Sequence, residues 1–148
     1  MSNPDALINR ATINRATIDR AALGREAEQH AAAHLEAAVA TILLRNFRRR
    51  RGELDLVALH RGVLLIVEVR LRSSDRHGGS AASVDGRKQR RLVHAARQLL
   101  QQRRDLARHP VRFDVIAISR RRPSANGCDP GTAGWKVDWL QHAFEAAG

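Results

Sequence analysis

Three carboxylates and an arginine stand inside two short apolar segments. Gly52-Glu53-Leu54-Asp55-Leu56-Val57 is followed, thirteen residues after Asp55, by Glu68-Val69-Arg70. A carboxylate that points into a packed layer carries a heavy desolvation cost unless it is paired or holds a cation. Hairpin arithmetic sharpens the point. A two-residue loop at Arg61-Gly62 sets His60 opposite Val63, and therefore Asp55 opposite Glu68 and Glu53 opposite Arg70. Directly opposed side chains stand about 5 Å apart at Cβ, where like charges repel and a bridging divalent cation is the natural remedy. Hard oxygen ligands favour Mg2+ or Mn2+. Strand alternation would put Glu53, Asp55, Glu68 and Arg70 on one face and Leu54, Leu56, Val67 and Val69 on the other. The ordinary alternative is a solvated strand face, with Glu53 paired to Arg70 and Asp55 facing some other arginine.

The elements that must position these residues follow from periodicity. Ala27, Ala31, Leu35, Ala38 and Val39 recur at helical spacing and define a first helix over about Gly24 to Ala38. Thr41 to Phe47, Leu54 to Leu59 and Val63 to Leu71 read as three strands. The stretch Ser73 to Asp85 reads as a long loop. Arg87 to Arg104 then carries Leu92, Ala95, Ala96, Leu99 and Leu100 on one stripe, which predicts a second helix. Val111 to Ser119 alternates as a strand, Arg120 to Gly134 is irregular, Trp135 to Val137 suits a short edge strand and Trp139 to Ala147 a terminal helix. Before all of this, Ile8 to Ala22 repeats with a period of five, which sends its isoleucines spiralling off any one helix face. The expected organisation is a flexible arm over 1–22, either a frayed helix or disordered, and one α/β domain over 23–148.

Composition narrows the partner. With 26 Lys and Arg against 15 Asp and Glu, the 148-residue chain carries a net charge of +11, and aromatic residues make up only 3%. Such an excess points to a polyanion, with nucleic acid favoured over a membrane surface. Arginines 45, 48, 49, 50 and 51 precede the acidic hairpin, while Arg72, Arg76, Arg87, Lys88, Arg90 and Arg91 follow it. Guanidinium forks suit phosphate oxygens, and the few aromatics argue against base stacking on single strands. The longest apolar run, Val63 to Val67, is far too short to cross a membrane, and the amino terminus lacks a secretory signal's apolar block. A cytoplasmic location is expected. The lone Cys128 has no Cys or His at zinc spacing.

Taken together, Gly24-Arg25 with Glu28, Arg45-Asn46-Phe47-Arg48, Gly52 to Leu56, Val67-Glu68-Val69-Arg70, Lys88, Arg112-Phe113-Asp114-Val115 and Trp139 to Phe144 resemble the small bacterial YraN-like proteins. That family is similar to the PD-(D/E)xK nuclease superfamily. The resemblance implies a restriction-endonuclease-like core, with a central mixed β-sheet flanked by α-helices, and a metal-dependent endonuclease acting on structured or branched DNA, with homodimers a natural way to cut two strands. It further implies that Asp55 and Glu68 bind Mg2+ (or Mn2+), with the Val69 carbonyl as a further ligand and Glu28 assisting. Glu53 takes a supporting role. Arg70 falls where the superfamily has a lysine, and a guanidinium can stabilise charge but cannot act as a base. A protein that retains the fold and binds nucleic acid without cutting is therefore the rival reading. An accessory protein docking an acidic partner is a third. Lys88 has two candidate parts, a phosphate contact or a substitute for the missing lysine. Arg45, Arg48, Arg50, Arg51, Arg72, Arg87, Lys88 and Arg91 are the expected nucleic-acid contacts.

Three weaker features remain. His30 and His34 stand at i, i+4, a geometry open to zinc, but no third ligand accompanies them. Phe113, Val115, Trp139 and Phe144 are expected in the core. Asp114, among them, suits a cap or salt bridge rather than catalysis.

Overall fold

A computed structural model describes residues 4–72, 83–120 and 134–146. Helix α1 (Pro4–Ala37) leads into β1 (Thr41–Arg49), β2 (Gly52–His60) and β3 (Val63–Arg72); α2 (Gly86–Gln102), β4 (Val111–Arg120) and β5 (Trp135–Phe144) complete the order. The five strands form one mixed sheet in sequential order. Only the β3–β4 pair is parallel, because α2 carries the chain back between them, whereas the other neighbours are antiparallel. Each face of the sheet is closed by one helix. Against α2, residues Leu92, Ala95, Ala96 and Leu99 pack on Leu54, Val57, Leu64, Ile66, Phe113 and Val115. Against α1, Ala27, Ala31, Ala32 and Leu35 pack on Leu56, Ala58, Leu65, Val67, Ile116 and Ile118. The architecture is the expected α/β one, a mixed sheet flanked by helices and consistent with a restriction-endonuclease-like core. Among the described residues no helix is long and apolar enough to cross a membrane.

Two expectations for elements are corrected. The first helix continues through the five-residue repeat to Pro4 rather than beginning near Gly24. No proline or glycine interrupts residues 5–23, and Pro4 sits at a first helical position, where its missing N–H costs nothing. The carboxy-terminal segment is a strand, not a helix. Trp135, Val137 and Trp139 alternate onto the α1 side, then the β4–β5 register slips between Phe113↔Phe144 and Val115↔Leu140. His142 takes up the slip in a left-handed conformation (φ 51°), which turns Ala143 and Phe144 to the α2 side. A strand whose apolar face switches partway mimics helical spacing in the sequence. Ser73 to Ala82, Arg121 to Ala133 and Cys128 with them lie outside the described residues.

That slip is built around Asp114, which is 1% exposed. Arg112 grips it with two hydrogen bonds of 2.8 and 2.7 Å, Trp139 Nε1 donates at 2.9 Å and the His142 amide at 3.1 Å. Four donors satisfy one carboxylate, as the expected salt-bridge role requires. Asp114→Ala should therefore destabilise the fold by about 3–5 kcal/mol, because it leaves the largely buried Arg112 guanidinium without its counter-charge. Urea unfolding of the variant against wild type measures this; a loss under about 1 kcal/mol would show the network to be dispensable.

Candidate active site

The β2–β3 ladder follows the expected hairpin, with His60↔Val63 through Leu56↔Val67 in register around the Arg61-Gly62 turn. It stops one pair short of Asp55 and Glu68. Beyond that point β2 stays paired with β1, through Arg48↔Glu53 and Arg49↔Gly52. β3 instead stays with β4, out to Arg72↔Ser119. The two strands part like the arms of a Y, and the acidic residues line the fork. Asp55 bridges it, its Oδ2 accepting from the Val69 amide at 2.8 Å.

The fork also changes which way residues face. Leu54 and Val57 both pack toward α2, although they are three apart, so the alternation of β2 slips by one residue around Asp55. The expectation that Leu54 would share a face with Leu56, Val67 and Val69 is thus corrected. The pairing of Glu53 with Arg70 is corrected too. Glu53 lies opposite Arg48 and accepts from its Nε at 2.9 Å, while Arg70 lies beside β4 and donates from Nη1 to the Ser83 carbonyl at 3.0 Å. Asn46, across from Asp55 on β1, has φ 51° and donates to Glu28 Oε2 at 3.0 Å. Glu28 reaches the rim of the fork in this way. Among the described residues, no three of His, Cys, Asp and Glu are gathered as a ready metal cluster.

Asp55 and Glu68 are the chemical centre. Glu68 is 7% exposed. Its Oε1 meets the Lys88 ammonium at 3.1 Å, and its Oε2 is buried with no N–H donor, next to an Asp55 carboxyl close enough to share a proton with Glu68. Burial first, and the neighbouring Glu68 carboxylate second, push Asp55 up to about 7, against the opposing pull of the Val69 amide and Lys88. Two close carboxylates, one of them buried, form a site whose donors could hold a hard divalent cation. The donors are all oxygen, as magnesium and manganese prefer, and such ions are commonly held by one or two carboxylates with water or phosphate completing the shell.

Beside this centre lies a basic cleft of about 590 Å³, lined by Arg48, Arg49, Arg50, Arg51, Gly52, Glu53, Lys88 and Arg91. Gly52 makes the cleft possible. A Cβ there would stand 2.6 Å from the Arg91 carbonyl and 3.0 Å from the Ala95 Cβ, so only glycine lets the β1–β2 turn rest on α2. Arg49 packs over Phe47 at 4.5 Å and donates to the Arg48 carbonyl and to Gln102. Arg50 and Arg51 form the exposed turn itself. Of the other expected contacts, Arg45 is 4.0 Å from Glu36, Arg87 and Arg91 are exposed on α2, and Arg72 ends β3 with its Nε buried and unpartnered. Arg76 lies outside the described residues.

His30 and His34 face aromatic rings. Trp135 stands 5.5 Å from His30 and Trp139 6.1 Å from His34, centroid to centroid, and Trp135 Nε1 donates to Glu26 at 3.1 Å. The sequence also left unread the fork between β2 and β3.

The raised Asp55 pKa has a definite sign. Between the unfolded value of 3.8 and about 7, the unfolded chain releases this proton while the folded chain keeps it, so Asp55 costs stability progressively as pH rises, and the loss levels off above about 7. Asp55→Asn retains an acceptor for the Val69 amide but has no proton to release. In metal-free buffer its stability should gain on wild type from pH 4 to 7, by up to a few kcal/mol, and run parallel above that. A constant difference from pH 4 to 8 would place the Asp55 pKa near its ordinary value.

The chain matches the family described as "Uncharacterised protein family UPF0102" over residues 27–118. It is similar to a UPF0102 protein of Pseudomonas entomophila strain L48, 43% identical over 119 residues that cover 80% of this chain and 89% of that protein. A UPF0102 protein of Halorhodospira halophila is 45% identical over 121 residues (80% and 84%), and one of Pseudomonas aeruginosa strain LESB58 is 41% identical over 121 (82% and 90%). The matched span takes in β1, the fork, Lys88, α2 and most of β4. The chain belongs to the UPF0102 family, the YraN-like group.

Proposed function

We propose that this protein is a magnesium-dependent endonuclease acting on structured or branched DNA. The observation that carries the reading is the close pair of half-buried Asp55 and buried Glu68, beside a cleft lined by arginines. In this reading Asp55 and Glu68 hold the metal, with the Val69 carbonyl and the Glu28 carboxylate as the candidate further contributors. The bound metal would supply Lewis acidity at a scissile phosphate and a lowered pKa for an attacking water. The chain's own residues do the rest. Arg50, Arg51 and Arg91 neutralise phosphates on either side of the reacting one, which fixes the strand without reading its bases. Glu68 orients the attacking water, and the low exposure of the fork strengthens each of these interactions. The preference for branched DNA rests on the resemblance to the PD-(D/E)xK superfamily.

One observation favours the rival reading, a protein that binds nucleic acid without cutting it. The Arg70 guanidinium is engaged by the Ser83 carbonyl. If the reaction requires a cation at that strand position, the site is incomplete.

Cleavage of labelled linear, single-stranded and branched DNAs with Mg2+ or Mn2+ separates the two. Under the nuclease reading wild type cuts, and Asp55→Ala or Glu68→Ala reduces the rate by about 100-fold or more while binding persists. Binding should weaken steeply with salt, and Arg50→Ala with Arg51→Ala should flatten the salt slope by about two. Salt-sensitive binding with no cleavage of any substrate would establish the rival. Activity that survives both carboxylate substitutions would overturn the assigned site.

A further inference from the structure

Only two lysines occur among the 26 basic residues of this chain, Lys88 and Lys136. One of them makes the only ion pair to Glu68 among the described residues, with Nζ 3.1 Å from Oε1. Lys88 is not there by chance of a flexible stem alone. It stands in the first turn of α2, its backbone amide held by the capping Asp85 side chain at 2.8 Å. Its side chain is 34% exposed, whereas that of Glu68 is 8% exposed, so the ammonium spans the boundary between the buried Glu68 carboxylate and the open cleft that it also lines. Arg70 has a different engagement. From the same strand as Glu68 it reaches the Ser83 carbonyl and stands near enough to Asp85 to help hold that carboxylate below its ordinary range, behind the Lys88 amide as the main cause. It thereby fastens the segment that starts α2.

We propose that Lys88, rather than Arg70, is the catalytic cation of the fork, contacting the reacting phosphate from α2, and that Arg70 is a positioning residue that fixes the first turn of α2. This rests on the nuclease reading above. An ammonium is a compact point charge that fits against a single phosphate oxygen or water, whereas a guanidinium is larger and forked. That difference accounts for a lysine beside Glu68 in a chain where 24 of the 26 basic residues are arginine. It also makes the arginine of the Glu68-Val69-Arg70 segment compatible with cutting, because the charge required at the phosphate arrives from another element.

The test compares wild type with Lys88→Ala, Lys88→Arg, Arg70→Ala and Arg70→Lys by three readouts. These are single-turnover cleavage at saturating DNA, titration of Mn2+ alone into the DNA-free protein, and thermal melting. Lys88→Ala should lose about 100-fold in rate with DNA affinity changed only a few-fold, and Lys88→Arg should restore little of it. The same Lys88→Ala should bind Mn2+ several-fold more tightly, since the ammonium competes with the ion for Glu68. Arg70→Ala should melt at a lower temperature, yet cut within a few-fold of wild type at a temperature where it is folded and bind Mn2+ as wild type does. Cleavage by Lys88→Ala within threefold of wild type, or tighter Mn2+ binding in Arg70→Ala instead of Lys88→Ala, would overturn the assignment and leave the nuclease reading standing. A wild type that cuts none of the DNAs would overturn the nuclease reading itself and the catalytic part of Lys88 with it.

Discussion

The Val69 amide needs an acceptor once β2 and β3 part, and Asp55 provides it. A sheet normally satisfies backbone groups by continuing its ladder, so a fork in the middle of one exposes N–H groups that cost free energy if left unpaired. Here a side chain replaces the missing strand partner. Because that side chain is a carboxylate, the bond that closes the fork also holds a negative charge within reach of Glu68. The site is a consequence of how the sheet is completed. The parting itself follows from partner choice, with β2 drawn to β1 as far as Arg49↔Gly52 and β3 drawn to β4 as far as Arg72↔Ser119.

The helices convert this local feature into a chemical environment. α2 packs its buried stripe on one face and brings Lys88 to Glu68 from its first turn. Gly52 lets the arginine turn lie against the Arg91 carbonyl, so the basic cleft and the acidic centre share one wall. On the opposite face, α1 closes the core with alanines and Leu35 and sends Glu28 to Asn46 at the rim. Asp114 performs the corresponding service near the start of β4, where one carboxylate ties Arg112, Trp139 and the irregular turn of β5 together. Both aspartates meet donors that an uninterrupted ladder would not present to a side chain. Asp55 stands beside a like charge at the fork, whereas Asp114 is met by four donors that tie β4 to β5.

The local rules made much of this legible. The Arg61-Gly62 turn fixed the register of Leu56↔Val67 and its neighbours, and the apolar stripe from Leu92 to Leu100 identified α2. Asp55 and Glu68 stood out because charge inside an apolar strand demands a reason. What escaped was non-local. Nothing in the spacing of Glu53 and Arg70 shows that their strands part before they meet, since the parting is decided by β1 and β4. Alternation failed at Leu54 for the same reason. The period of β5 was obscured by the slip at His142, which moves Ala143 and Phe144 to the other side of the sheet.

The arginine at position 70 shows why residue type and residue position must be weighed apart. Read along the strand, Glu68-Val69-Arg70 has a cation two residues from a carboxylate, on the same face and so available to the same ligand. Read in three dimensions, the strand pairs with β4 throughout this stretch, and the long guanidinium follows the chain toward Ser83 and Asp85. A bulky, multiply donating group is well suited to that task, because one planar head can hold a carbonyl while its charge faces a carboxylate. The smaller ammonium enters from α2 and meets Glu68 where the cleft opens. Positive charge around the fork is thus divided between elements, Lys88 from α2 and Arg70 from β3. A strand motif scored by type alone would judge this site by its arginine and overlook the lysine.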